Sequence, residues 1–374
     1  MIKSHFCSFL ILSALLFSGC VDSFEPPIVK SENNYLVVEG ALISGGELTT
    51  VKLSRTASLA DTSYIKPVLF ANITVVGEDG TSQSLTATGN GEYSTILALE
   101  SGENYQLSIA TAEGKNYQSE IITLNETPPI DSLNWRVVNG SELEILVNTH
   151  DVENNSKYYK WDFVETWEFN AAYYSSLEYI NGEVVFRSRE NQIYTCWQNN
   201  SSSSILLGST AALGEDIIYQ KSILKAPFSW KLSKKYSIEI HQHALSEEAY
   251  NYFENMKKNS EDLGSFYDAQ PTEIKGNIHS LSNPDEPVIG YVYATSVEKE
   301  RIFISNEEVN YHYRDSSCPE DVLMILEPGK EEDTFGKGSA VPIMLNEFGQ
   351  IIYTYRYCGD CTSKGFNVRP YFWQ

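Results

Sequence analysis

The chain has 374 residues, of which 42% are hydrophobic and 21% are charged. It is therefore long and apolar enough to bury about two cores of ordinary size. Its 50 acidic and 27 basic residues give a formal net charge of -23, which repels a phosphate backbone and disfavours nucleic-acid binding. The 24 Tyr, 16 Phe and 6 Trp predict a mainly β protein, because aromatic side chains suit a pleated surface.

Residues 1–19 have the pattern of a bacterial lipoprotein signal peptide. Lys3 supplies a positive charge, and the apolar run over 6–17 is shorter than the roughly 20 residues that a membrane-spanning helix needs. Small residues then precede Cys20, which is the arrangement typical of a cysteine that receives a diacylglyceryl group. Cys20 is therefore the predicted site of lipid attachment and the predicted link to the outer membrane.

Residues 20–34 are predicted to form an acidic tether. Asp22 and Glu25 lie just after the lipid site, and the two prolines that follow them favour an extended spacer. Early acids of this kind resemble the export signal of lipoproteins that Bacteroidota display on the cell exterior. We therefore expect a lipid-anchored protein on the outer face of the outer membrane, with a solvated linker as the simpler interpretation of the same acids.

Short alternating runs fill the segment 35–126 and predict an immunoglobulin-like or prealbumin-like β-sandwich. Pro128 and Pro129 then interrupt the pattern, because paired prolines cannot continue a hydrogen-bonded ladder. The sequence thus predicts a domain boundary here. A second β-rich domain is expected over 127–374.

An aromatic-rich strand is predicted over 158–169 in the second domain. Its rings fall on one face by the period of two, and they belong to a core more readily than to an exposed carbohydrate platform: Tyr159, Trp161, Phe163, Trp167 and Phe169. The polar, serine-rich tract over 199–204 is predicted to be a loop.

One amphipathic helix is predicted near 247–262. Ser246 is a suitable N-cap, and two glutamates follow it at the positive end of the helix. Apolar residues then recur at the helical spacing, at Ala249, Tyr252, Phe253 and Met256. The helix is expected to pack on the β framework.

Four cysteines remain after the signal peptide and the lipid site: Cys196, Cys318, Cys358 and Cys361. Disulfides are favoured in an exported protein, and four cysteines allow three connectivities. The CxxC spacing at 358–361 also occurs in redox pairs and zinc sites, but here it follows a strand-like run. We expect one bond from this pair to Cys318 and another to Cys196, which would hold Pro370, Phe372 and Trp373 against the domain. A bond within the pair is the alternative, although it would constrain little chain entropy.

Glu239, His241 and His243 alternate along a probable strand and would project from one face as a possible metal-binding set. A solvated sheet face is the simpler interpretation, and no metal site is predicted. No catalytic residue is nominated either, because the sequence lacks the usual hydrolase, metalloprotease, nucleotide-binding and calcium-loop motifs. We expect a protein that is not an enzyme and carries no cofactor beyond the lipid on Cys20.

Several segments, in this order and spacing, resemble the Bacteroidota outer-membrane lipoprotein family catalogued as domain of unknown function 4249. They lie over 246–253, 274–278, 287–291 and 301–304, and at the ending from 358. The resemblance implies an outer-membrane lipoprotein, commonly encoded beside a TonB-dependent receptor. It implies no catalytic residues.

The sequence therefore favours a surface-exposed, non-enzymatic accessory subunit of a TonB-dependent receptor or another outer-membrane barrel. Two alternatives remain open. One is a lipoprotein that binds a nutrient directly, such as a glycan, a peptide or a metal complex. The other is a structural subunit of a machine that exports or assembles outer-membrane proteins or lipoproteins.

Overall fold

The computed structural model describes residues 34–57, 66–260 and 274–374. The predicted signal peptide, Cys20, Asp22 and Glu25 lie outside the described residues. The predicted fold class is confirmed, since 49% of the protein is strand and 10% is helix.

The strands, in chain order, are β1 Leu36–Ile43, β2 Leu48–Arg55, β3 Lys66–Pro67, β4 Asn72–Gly77, β5 Ser82–Gly89, β6 Glu92–Ile96, β7 Asn104–Ala110, β8 Asn116–Ser119, β9 Ile122–Asn125, β10 Ile130–Val138, β11 Glu142–His150, β12 Tyr158–Asn170, β13 Leu177–Ile180, β14 Glu183–Phe186, β15 Thr195–Ser201, β16 Leu206–Ser209, β17 Ile217–Pro227, β18 Lys235–Leu245, β19 Ile278–Ser280, β20 Val288–Ile289, β21 Val292–Thr295, β22 Val297–Ser305, β23 Met324–Ile325, β24 Ala340–Leu345 and β25 Ile351–Tyr355. The helices are α1 Glu247–Ser260, α2 Glu331–Phe335 and α3 Arg356–Gly359, with 3-10 turns at Trp230–Leu232, Glu320–Val322 and Cys361–Ser363.

The N-terminal strands surround one apolar core. They form a sheet in the order β19-β8-β7-β4-β5-β6-β2-β1-β21-β9, and β9 also pairs with β7, which brings the two ends of the sheet together. The strict alternation of buried and half-buried residues in β7 shows how the period of two directs one face inward. The predicted sandwich over 35–126 accounts for eight of these ten strands and for β3, which pairs with β2.

Residues 278–295 return to this first sheet late in the chain. β20 and β21 pair in parallel with β1, and β19 pairs with β8. Gly290 lies between β20 and β21 with a φ of +121°, and a Cβ there would stand 1.9 Å from the carbonyl oxygen of Val38. Only glycine allows this close approach. These strands belong to the first sheet, although the predicted boundaries place them in the domain over 127–374.

Two sheets of the second region share one core. The sheet β10-β11-β17 contributes apolar side chains from β11, and the sheet β15-β12-β18-β22 contributes those of β12 and β18. The predicted aromatic face of β12 is buried in that core, as expected. Glu165 lies on the same face and is only 3% exposed, where Lys231 and Tyr236 bind its carboxylate.

The polar tract over 199–204 differs from its prediction as a loop. Its first three residues complete β15, which pairs with β12 from Ser201 opposite Val164 to Thr195 opposite Asn170. Polar residues are compatible with this position, because β15 is at the end of its sheet and the ladder bonds backbone atoms alone.

Helix α1 confirms the predicted helix through residue 260. The Ser246 hydroxyl accepts a hydrogen bond from the Ala249 amide at 3.2 Å, which is the expected N-cap. Tyr252 packs on Tyr291 with ring centroids 5.1 Å apart, while the helix also contacts β12. The helix therefore lies at the junction of the first sheet and the second region.

Candidate functional site

Two disulfides hold the C-terminal end of the protein. Cys196 bonds to Cys361 and Cys318 bonds to Cys358, with Cα atoms 5.7 Å apart in each pair. The prediction that each cysteine of the CxxC pair bonds to a different distant partner is confirmed. The four sulfurs are joined in pairs and are not grouped as zinc ligands.

These bonds fix the last residues against the second region. The Trp373 indole donates to Glu168 at 2.9 Å and packs edge-on against Phe303. Arg301 lies over the Phe372 ring, 3.7 Å from its centroid. The predicted packing of the C-terminal aromatics on the domain therefore holds for Phe372 and Trp373.

Beside the disulfides the structure forms an open groove of about 760 Å³, which is a size suited to a small ligand. Four separate segments line it: residues 169–173 after β12, residues 230–234 around a 3-10 turn, residues 313–318, and Lys364. Cys318 is part of the wall, and Lys364 follows Cys361 by three residues. We refer to this cavity as the groove.

The groove carries an excess of positive charge in an acidic protein. Its lining contains Lys234, Arg314 and Lys364 against the carboxylate of Asp315. Lys364 lies 3.3 Å from Asp315, whereas Lys234 and Arg314 have no ion pair among the described residues. Partial burial disfavours ionised Asp315, but hydrogen bonds from Ser317 and the charge of Lys364 outweigh it and lower its pKa.

Polar and aromatic groups complete the groove wall. The Ser233 hydroxyl is buried and has no hydrogen-bond partner within the described residues. Trp230 is half-buried, and its ring makes edge-on contacts with Trp167 and Phe169 at centroid distances of 5.4 and 5.1 Å. The indole is therefore held in a fixed orientation at the groove.

The second charged region lies on the other face of the sheet around β12 and β18, and we call it the histidine cluster: Lys160, Asp162, Glu239, His241, His243 and Arg301. Asp162 stands opposite His241 in the ladder. It accepts hydrogen bonds from His241 Nδ1 at 2.9 Å and from His243 Nε2 at 2.8 Å. His241 Nε2 reaches Glu239 at 3.0 Å, and Arg301 donates to the same glutamate at 2.7 Å.

Burial and partners shift the two histidines in opposite directions. Burial disfavours the His241 cation, but its bonds to Asp162 and Glu239 outweigh burial and raise its pKa. Burial and the nearby Lys160 charge lower the pKa of His243 despite Asp162. For Asp162, the two histidines outweigh burial and hold its pKa far below the ordinary value.

Glu239, His241 and His243, which the sequence offered as a possible metal-binding set, belong to a hydrogen-bonded cluster organised by Asp162. Across residues 34–57, 66–260 and 274–374, no group of three or more His, Cys, Asp or Glu side chains is arranged to hold a metal ion. Nothing in the sequence connected Asp162 with the two histidines. The opposing register of β12 and β18 makes that connection.

The groove residues were not predicted as a site. They come from segments between residues 169 and 364, and no motif joins them. The only available signal was the excess of cations in short stretches of an acidic chain, such as Lys234 and Lys235.

In the part of the chain that the structure describes, no helix has both the length and the apolar character needed to cross a bilayer.

Three solved structures with some similarity are each 12% identical to this chain. The match to a two-domain fibronectin type III segment of chicken tenascin covers 55% of this chain and 88% of that segment, with a TM-score of 0.15. The match to a putative membrane anchored protein of Corynebacterium diphtheriae covers 68% of this chain and 60% of that protein, with a TM-score of 0.16. The match to the FN1–FN3 domains of chicken CNTN1 covers 56% of this chain and 62% of those domains, with a TM-score of 0.19. This chain spans less than two thirds of the last two, and scores this low allow no transfer of function.

No curated protein matches the chain. One family profile does match, from residue 21 to residue 301. Because this match spans most of the 374 residues, the chain belongs to the family described as Domain of unknown function (DUF4249).

Proposed function

We propose that this protein is a lipid-anchored, surface-exposed accessory lipoprotein of a Bacteroidota outer membrane. It binds cargo for a TonB-dependent receptor or another outer-membrane barrel and does not catalyse a reaction. The lipid is carried by Cys20, and the acids Asp22 and Glu25 direct the protein to the cell exterior. The family match supports the anchor, because it begins at residue 21, directly after the lipid site.

The groove is the observation that supports cargo binding. It is concave, has an ordered aromatic residue in Trp230, and holds cations that no described carboxylate neutralises. Pockets that bind small molecules combine apolar walls with a few placed polar groups in this way. Cys318 in its wall is bonded to Cys358, and Lys364 lies three residues after the bonded Cys361, so we expect the walls to move little on binding.

Crosslinking in intact native cells, followed by purification and mass spectrometry, tests the partner. We expect a TonB-dependent receptor or another barrel protein to be recovered with the lipoprotein. A protein that crosslinks only to itself, at native expression, would contradict the accessory role. Recovery of a protein-export or assembly machine would replace it with the structural alternative.

Membrane attachment has a matched test within the same segment. Cys20→Ala removes the proposed lipid site and should release the folded protein from the membrane fraction. Cys7→Ala alters a cysteine of the proposed signal peptide and should leave attachment unchanged. If the Cys20→Ala protein still sediments with outer membranes at high salt, a protein partner provides the anchorage.

Surface display is tested by adding protease to intact cells. The native protein should be digested, and replacing both Asp22 and Glu25 by alanine should protect it by retaining it on the periplasmic side. Glu32→Ala, in the same tether, is the control and should remain sensitive. Equal digestion of all three forms would remove the export role of the two early acids.

A further inference from the structure

The charged side chains of the groove define what kind of ligand it accepts. Lys364 is occupied by Asp315 at 3.3 Å, but the cationic groups of Lys234 and Arg314 have no acidic partner among the described residues. In a chain with 50 acidic and 27 basic residues, most cations could find a carboxylate nearby. Two cations without one, on the wall of the same groove, are therefore available to an anion from outside.

Neighbouring groups add direction to this positive charge. Lys234 follows the 3-10 turn Trp230–Leu232. Trp230 provides an aromatic surface in the same turn, with its ring held by Trp167 and Phe169. A guanidinium such as that of Arg314 forms paired hydrogen bonds with a planar carboxylate.

We propose that the groove binds a carboxylate-bearing sugar, with its carboxylate at Arg314 and Lys234 and a sugar ring on Trp230. This inference rests on the proposed cargo-binding function and specifies its ligand. Lys364 pairs with Asp315 at 3.3 Å, whereas Lys234 and Arg314 have no ion pair among the described residues. The cavity volume of about 760 Å³ is large enough for a short oligosaccharide.

The test is calorimetric titration of the purified, disulfide-bonded protein with a panel of uronic-acid oligosaccharides. Each acidic member is paired with its methyl ester, which keeps the rings and removes the charge. We expect the acids to bind and the esters to bind at least about tenfold more weakly, as for the loss of one charged hydrogen bond. Binding should also weaken with increasing salt.

Variants assign the contacts. Arg314→Gln should weaken binding of the acids by about 10- to 100-fold and Lys234→Gln by about 3- to 10-fold. Neither change should alter the denaturant midpoint, because both side chains are exposed. Lys337→Gln, at an exposed lysine outside the groove lining, is the matched control and should bind like the native protein.

The outcomes separate this inference from the function on which it rests. Equal binding of acids and esters, or binding unaffected by Arg314→Gln, would overturn the carboxylate site and leave cargo binding intact. No binding by any member of the panel would also overturn the inference. The accessory function would then be decided by the crosslinking experiment alone, which does not depend on the ligand.

Discussion

The histidine cluster and the groove are both concentrations of charge, but they differ in how completely the charges are paired. In the cluster, Asp162 lies within 3.5 Å of Lys160 and of both histidines, and Glu239 binds His241 and Arg301. In the groove, two of three cations have no described acidic partner. The charges of the histidine cluster bind one another, whereas two cations of the groove are available to a ligand.

Whether a charged side chain has a partner says more about its role in binding than its residue type does. The His-x-His spacing drew attention in the sequence because imidazoles so often bind metals. In the structure both histidines bind Asp162, although His243 Nδ1 is buried without a partner among the described residues. Lysine and arginine on exposed loops attract no attention by themselves. In a chain with a net charge of -23, the stronger signal is that two cations without an ion pair line the same groove, since single ones such as Lys337 occur elsewhere in the described residues.

Removing the disulfides should cause the largest loss in the free energy of unfolding. It should also affect the groove and the histidine cluster differently. Replacing both cysteines of a pair by serine removes the bond that closes a loop. The two cysteines are 165 residues apart in Cys196–Cys361 and 40 residues apart in Cys318–Cys358. Chain-entropy scaling then gives losses of about 5 and about 4 kcal/mol, respectively, as upper values. Urea unfolding measures the losses, and each pair is a control for the other.

The Cys318–Cys358 pair should also affect ligand binding, since Cys318 is part of the groove wall. The histidine cluster lies on another face of the sheet and should be unaffected. Unchanged urea midpoints in both double variants would contradict the structural role of these bonds.

Removing the carboxylate of the cluster should have the next largest effect. Asp162→Asn removes the negative charge that His241, His243 and Lys160 share and replaces one of the two acceptor oxygens by a donor, and we expect a loss of about 2–4 kcal/mol in the free energy of unfolding. Asp285→Asn, at an exposed aspartate, is the control and should change stability by about 0.5 kcal/mol or less. Ligand binding in the groove should not change in either variant. Stability losses of equal size would show that the cluster is not structural.

The two histidines should respond to pH with opposite signs. The raised pKa of His241 adds stability below its unfolded value of about 6.5, and this stability is lost as pH rises through the folded value. The lowered pKa of His243 has the reverse effect, because stability falls as pH drops below about 6.5. His241→Gln should therefore destabilise the protein more at about pH 5 than at about pH 8. His243→Gln should destabilise it less at about pH 5 than at about pH 8. For each variant, the loss in the free energy of unfolding should differ between the two pH values by about 1 kcal/mol or less.

Unfolding of both variants at the two pH values tests these signs. The facing groups are the same in each experiment: Lys160, Asp162, Glu239, Arg301 and the Tyr293 ring. The native protein is the reference at each pH. A common direction for both variants would contradict the opposed shifts.

An exposed ion pair beside the cluster should have the smallest effect. Lys299 contacts Glu47 at 2.7 Å, and both side chains remain partly open to solvent. Lys299→Ala should therefore cost about 0.5 kcal/mol or less, and the cost should diminish at high salt. A loss comparable to that of Asp162→Asn would show that exposure does not distinguish these pairs.

The strands were predictable where one face is buried in a regular alternation. β12 was predicted with its inward face almost complete, because its aromatic residues recur at every second position. β5 gave no such signal, since Leu85 is the single fully buried residue in an otherwise exposed or half-buried strand. β15 was partly predicted as a loop for a similar reason, as it ends in exposed polar residues.

Cysteine number and spacing predicted that disulfides form, but not which cysteines pair. An even number of cysteines in an exported chain predicted disulfides, and loop entropy favoured bonds from the CxxC pair to distant partners. Which of the two cysteines meets Cys196 depends on the turn after β25. There, α3 places Cys358 near Cys318, and the following 3-10 turn carries Cys361 back to β15.

The β class, the amphipathic helix and the presence of disulfides could be predicted before folding, because alternation, capping and cysteine number are local properties of the chain. The folded structure was needed to show that residues 278–295 return to the first sheet, that Asp162 joins two histidines, and that four segments enclose the groove. These features depend on strand register and on contacts between distant residues. A charge finds or lacks its partner only after such contacts form, so the pairing that distinguishes a structural cluster from a binding groove is a property of the folded protein.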